Sequence, residues 1–146
     1  MRYHLLLTFT FFSIHSFSQD YFFKDYAPFD TQIPSPEEYL GYPVVEYHTR
    51  HDRIVSYLQR QADLSEKATL IEYGKTHELR PLVILIISAS QNLEDIDNLQ
   101  KNHLEALTGA ASTNSGERPV FVNLGYNVHG NEPSSSEAAL LSAYTL

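Results

Sequence analysis

An unbroken apolar run, PLVILII at residues 81–87, limits the fold more than any other stretch of this sequence. If the run forms a strand, both of its faces are apolar, which is typical of a strand in the middle of a sheet that helices cover. The stretches ATLIEYGK (68–75) and PVFVNLGY (119–126) predict two further strands. We therefore expect helices packed against a sheet that contains these three strands.

Three helices are predicted to alternate with the strands. The first covers HTRHDRIVSYLQRQADL, with Thr49 as its N-cap and an apolar stripe formed by Ile54, Val55, Leu58 and Ala62. The second covers LEDIDNLQKNHLEALTG, and Gly109 is placed to end it. The third begins at Pro133. Strands and helices in alternation predict an α/β fold.

Charge and composition exclude several classes of protein. Ten Lys and Arg stand against eighteen Asp and Glu, for a net charge of −8, so nucleic acid is not an expected partner. The chain has no cysteine and can form neither a disulfide framework nor a thiolate metal site. Any metal site must use histidine, carboxylate or water as ligands.

The first residues have the features of an export signal. Residues 1–18 carry Arg2, an apolar run from Leu5 to Ile14 and small residues at Ser16 and Ser18, a pattern typical of a cleaved signal peptide. The apolar run is shorter than the roughly 20 residues that a membrane span needs. We expect export to the periplasm or the medium, without stable membrane insertion after cleavage. Residues 19–47, which contain four prolines, are expected to form an extended N-terminal arm.

The stretch VHGNEP at 128–133 brings together two side chains with metal chemistry. His129 and Glu132 follow the predicted strand 119–126 at its carboxyl end, where open α/β sheets place their binding crevices. Gly130 allows the chain to turn between them, and Pro133 suits the first position of a helix. A common catalytic zinc site has two histidines, one glutamate and a water, so this pair could supply two of the three protein ligands.

Other polar residues have structural explanations. The pattern His-x-x-Glu arises often by chance, and a turn that carries it is usually just solvated. Ser134 and Glu137 have the spacing of a capping box at the start of the last helix. The histidines outside the motif and the signal are expected to be solvated or hydrogen-bonded at the surface: His48, His51, His77 and His103.

The stretch GYNVHGNEPSSSEAALLSAY resembles the zinc-binding segment of the carboxypeptidase A-like metallocarboxypeptidases. In that family the histidine and glutamate of His-x-x-Glu bind zinc, which implies that His129 and Glu132 are metal ligands. The stretches IPSPEEYLGY, YHTRHDRIVSYL and YGKTHELRPLVILIIS occur in the order seen in large exported bacterial members. The resemblance implies that residues 48–146 are the N-terminal portion of a catalytic domain with α/β/α layers and a mixed β-sheet.

The resemblance also implies a function, the Zn²⁺-dependent hydrolysis of the C-terminal bond of peptide or protein substrates. The family's third zinc ligand, its substrate-binding arginine and its general-base glutamate lie further along the chain and are expected beyond Leu146. The chain stops within its last predicted helix, so we expect it to be a truncated fragment. With two ligands and no general base, the fragment is expected to be inactive alone.

Two residues depart from the family pattern. Asn131 stands where pancreatic-type enzymes have an arginine that contacts substrate, and Leu79 stands where many relatives have glycine, which leaves the conformation of that turn open. Two other functions also remain open. One is an N-acyl amino acid amidohydrolase of the aspartoacylase or succinylglutamate desuccinylase type, and the other is a non-catalytic exported binding domain. The export signal and the YHTRHDRIVSYL segment favour the carboxypeptidase.

Overall fold

The computed structural model describes residues 23–109 and 119–146, so the predicted signal and the first residues of the arm lie outside the described residues. In chain order its elements are α1 (Pro36–Leu40), α2 (His51–Leu64), β1 (Ala68–Lys75), β2 (Pro81–Ile87), α3 (Ser90–Glu94), α4 (Ile96–Leu107) and α5 (Pro133–Thr145). Helices packed on a sheet confirm the predicted α/β class.

The described sheet is an antiparallel hairpin of β1 and β2, in which Leu70 lies opposite Leu85. Leu70, Val83 and Leu85 project from one face and pack against the core. Ile71 and Ile84 lie opposite each other on the other face and are exposed. In the described residues β2 has β1 on one edge and no strand on the other, so its predicted place in the middle of a sheet is not observed.

Helix α2 lies at the centre of the core because its buried positions recur at the spacing of one helix face. As predicted, Ile54 and Leu58 are buried, and Tyr57 between them is fully enclosed. They pack with Leu40 from α1 and Leu140 from α5. The predicted N-cap is wrong by one residue: Arg50 takes that position, and its side chain makes no capping hydrogen bond.

The predicted extended arm contains a helix, α1, and contributes to the core. Ser35 is its N-cap: the Ser35 Oγ accepts from the Glu38 N–H at 3.3 Å, and the Ser35 N–H donates to the Glu38 carboxylate at 2.8 Å. This capping box overrides the prolines, since Pro36 occupies the first helical turn, where proline is tolerated. Leu40 and Val44 are buried.

The predicted third strand at 119–126 does not form in the described structure. A strand needs a neighbour that pairs with its N–H and C=O groups, and no described strand lies beside this segment. Its apolar side chains are therefore left in solvent; the side chain of Val122, for example, is 76% exposed.

The predicted second helix is two helices, α3 and α4, which meet at Asp95. Gly109 follows the last turn of α4 with a φ of 73°, which confirms it as the stop. None of the residues of α4 is buried, and the side chains of Leu104 and Leu107 are exposed. No helix within residues 23–109 or 119–146 has the length and apolar character required to cross a membrane.

Candidate metal centre

His129 and Glu132 lie on a tight turn that leads directly into α5. The turn is closed by the Glu132 N–H, which donates to the His129 carbonyl at 3.1 Å. Glu132 is the N-cap residue of α5 and Pro133 begins the helix, as predicted. The Glu132 carboxylate therefore lies at the N-terminal end of α5.

The turn brings the two side chains together. The His129 Nδ1 lies 3.3 Å from the Glu132 Oε1, and the side chains are 70% and 53% exposed. One imidazole nitrogen and one carboxylate oxygen thus face each other in open solvent, a donor pair that suits zinc. The fit is partial, because residues 23–109 and 119–146 contain no group of three histidine, cysteine, aspartate or glutamate side chains that could hold a metal ion.

Asn127 ties the beginning of this turn to α5. Its backbone N–H donates to the Ser135 Oγ and its side-chain Nδ2 donates to the Ser136 Oγ, each at 2.7 Å. Its φ of 56° lies in the left-handed region, which asparagine tolerates better than most residues. The loop from 127 to 136, which carries His129 and Glu132, is therefore closed at its base. Sequence reasoning missed this contact, although an asparagine before a run of serines was visible.

Glu137 does not form the predicted capping box with Ser134. Its carboxylate instead accepts a hydrogen bond from the Thr49 N–H at 2.9 Å and a longer one from the Val45 N–H at 3.5 Å. Glu137 is 3% exposed and Thr49 is 2% exposed. The sequence held a sign of this contact: Glu137 lies three residues before Leu140, on the same face of the helix. A glutamate on an apolar helix face needs a polar partner inside the fold.

The contact between Glu137 and residue 49 brings the segment 45–48 against the start of α5. Between them lies an open cavity of about 300 Å³, lined by residues 45–48 together with Pro133, Ser134 and Glu137. Pro133 is the immediate neighbour of Glu132, so the cavity adjoins the turn that carries the candidate ligands.

The other four described histidines lie where solvated or hydrogen-bonded surface roles were predicted for them. His51 Nε2 lies 2.9 Å from the Pro81 carbonyl oxygen, at hydrogen-bonding distance. The His103 ring packs against Phe121 with centroids 4.4 Å apart. His48 and His77 are exposed.

A family model described as zinc carboxypeptidase matches residues 54–146, which is more than half of the chain. The matched region contains the hairpin, the His-x-x-Glu turn and α5. This chain belongs to the zinc carboxypeptidase family, as the resemblance implied. No curated protein and no solved structure matches it.

Proposed function

We propose that this chain is the metal-binding N-terminal portion of a zinc-dependent carboxypeptidase that hydrolyses the C-terminal bond of peptides. The observation that carries the proposal is the pair His129 and Glu132, 3.3 Å apart on a turn inside the region that matches the family. In the proposal these side chains are two of the three protein ligands to one zinc ion. The third ligand and the general base come from outside the described residues.

The residues of the chain have distinct tasks in this proposal. His129 supplies an imidazole nitrogen, and Glu132, at the start of α5, supplies a carboxylate oxygen. Pro133 lacks an N–H and has a fixed φ, so α5 begins immediately behind the ligand and limits its backbone freedom. Zinc bound there would act as a Lewis acid that polarises the scissile carbonyl and lowers the pKa of a bound water.

Export is part of the proposal. It rests on the sequence of residues 1–18, which lie outside the described residues. The family match supports peptides as the substrate class over N-acyl amino acids, and it supports a hydrolase over a non-catalytic binding domain.

Zinc binding tests the ligand assignment. The purified chain would compete for Zn²⁺ with a chromophoric chelator, alongside the variants His129→Ala and Glu132→Gln. We expect each variant to bind zinc at least about tenfold more weakly, because each removes one of two ligands. His77→Ala is the matched control, since His77 is exposed. Equal affinity in the wild type and His129→Ala would contradict the proposal.

Hydrolysis tests the predicted division of the site. A peptide with a free C-terminus, incubated with the purified 146-residue chain and Zn²⁺, is expected to release no C-terminal residue above the rate without protein. Chelator-sensitive release of that residue would show that His129 and Glu132 suffice for turnover. It would overturn the proposal that a third ligand and a general base come from outside the described residues.

A further inference from the structure

We infer that Asn127 is a positioning residue that holds His129 in place to face Glu132. Asn127 lies two residues before His129, and it is attached to α5 on the far side of Glu132. Its two hydrogen bonds close a loop in which the Glu132 N–H donates to the His129 carbonyl and the Ser135 N–H donates to the Glu132 carbonyl.

The hydrogen bond from the Asn127 side chain is the stronger constraint because its acceptor is fixed. Ser136 is 3% exposed and lies in the first turns of α5, next to the buried Glu137. Ser135, which accepts from the Asn127 backbone, is only partly buried. The Asn127 amide therefore connects an otherwise exposed loop to the part of α5 that the core immobilises.

The loop has little else to hold it. The preceding segment 119–126 pairs with no described strand, and the side chains of His129 and Glu132 are themselves exposed. A histidine on an unrestrained loop would have to lose conformational freedom each time a metal bound, which weakens binding. Holding the backbone at Asn127 lowers that cost because part of the ordering is already present in the folded chain.

Two variants separate the Asn127 side chain from its backbone conformation. Asn127→Gly keeps a residue that accepts a positive φ and removes the amide. Ser136→Ala leaves residue 127 unchanged and removes the acceptor. Both are expected to loosen residues 128–132, and Asn127→Gly somewhat more, because glycine also frees the backbone. Adding Ser136→Ala to Asn127→Gly should have little further effect, because both changes remove the same hydrogen bond. Ser134→Ala is the matched control, since Ser134 is an exposed serine of the same helix.

The decisive readout is made without metal. In the metal-free wild type, we expect ¹⁵N relaxation to report restrained amides at 128–132 and a nuclear Overhauser contact between the His129 ring and the Glu132 side chain. In Asn127→Gly and Ser136→Ala, the amides should become more mobile and the contact should weaken. Urea unfolding of each variant shows that the core is still folded. Unchanged mobility and an unchanged contact in Ser136→Ala would overturn the inference.

Zinc affinity is the second readout, and it rests on the proposed function. Loss of one neutral hydrogen bond is expected to weaken Zn²⁺ binding about fivefold in Asn127→Gly and in Ser136→Ala. Asn127→Asp should restore most of the affinity, because its carboxylate can accept a hydrogen bond from the Ser136 hydroxyl. If His129→Ala binds zinc as well as the wild type, the proposed ligand pair fails, whereas the metal-free spectra still decide the role of Asn127.

Discussion

Replacing Glu137 by alanine should destabilise the whole fold, because this carboxylate joins the start of α5 to the segment before α2. The Thr49 N–H, buried with it, donates to the Glu137 Oε1 at 2.9 Å. A hydrogen bond to a charged group contributes about 1.5–3 kcal/mol. Leaving its buried N–H donor without a partner costs a similar amount, and the two values describe the same loss, so they are not added. The Val45 N–H at 3.5 Å lies at the limit of hydrogen bonding and adds little.

Removing a buried charge also relieves its desolvation, which offsets part of this loss. We therefore expect Glu137→Ala to lower the free energy of unfolding by about 2 kcal/mol. Glu137→Gln keeps an acceptor for Thr49 but loses the charge, so its loss should be about 1 kcal/mol.

Urea unfolding followed by far-ultraviolet circular dichroism measures these free energies by linear extrapolation. Glu66→Ala is the matched control: Glu66 is an exposed glutamate, so its change should stay within about 0.5 kcal/mol. If Glu137→Ala were as stable as Glu66→Ala, the hydrogen bond between Glu137 and the Thr49 N–H would not stabilise the fold, contrary to this prediction.

Three further predictions concern pH and backbone strain. The backbone and side-chain hydrogen bonds from Ser35 hold the pKa of Glu38 below its usual range, so Glu38 stabilises the fold above the ordinary pKa of about 4.3. The stability lost in Glu38→Gln, measured by urea unfolding, should therefore shrink as the pH falls through the lowered pKa. Burial, and then the nearby Tyr144, raise the pKa of the Tyr57 hydroxyl. Just above the ordinary tyrosine pKa of about 10, Tyr57 therefore loses its hydroxyl proton only in the unfolded chain. Stability should fall as the pH rises above that value, and fall less steeply in Tyr57→Phe; equal slopes would contradict the assignment. Leu79 has a φ of 62°, and Leu79→Gly should raise the free energy of unfolding by about 0.5 kcal/mol, because relief of left-handed strain exceeds the added chain entropy.

The elements that depend on local chemistry could be predicted from the sequence. The apolar spacing of α2 located Ile54 and Leu58 on its buried face, Gly109 ended α4, and Pro133 began α5. The turn between His129 and Glu132 is also local, since its closing hydrogen bond spans three residues. The capping box at Ser35 was just as local and could have been read from Ser-Pro-Glu-Glu, but the neighbouring prolines suggested an extended chain.

Features that depend on distant partners could not be predicted. The contact from Glu137 to Thr49 joins residues 88 positions apart, and neither position specifies the other. The segment 119–126 has the composition of a strand. A strand forms only when a second segment pairs with it, and the composition of one segment does not show whether that partner is present. Leu79 takes the left-handed conformation that glycine favours. The glycine that many relatives have at this position is compatible with that conformation, but a leucine does not predict it.

Metal binding between His129 and Glu132 can be tested by a Zn²⁺ titration in which NMR follows the ring nitrogens of the histidines. We predict that addition of Zn²⁺ shifts the His129 Nδ1 or Nε2 resonance and leaves those of His48, His51, His77 and His103 in place. At the same sub-saturating Zn²⁺ concentration, the shift should be smaller in Glu132→Gln. A His129 resonance that does not move at saturating Zn²⁺, or that moves equally in Glu132→Gln, would contradict a metal held between these two side chains.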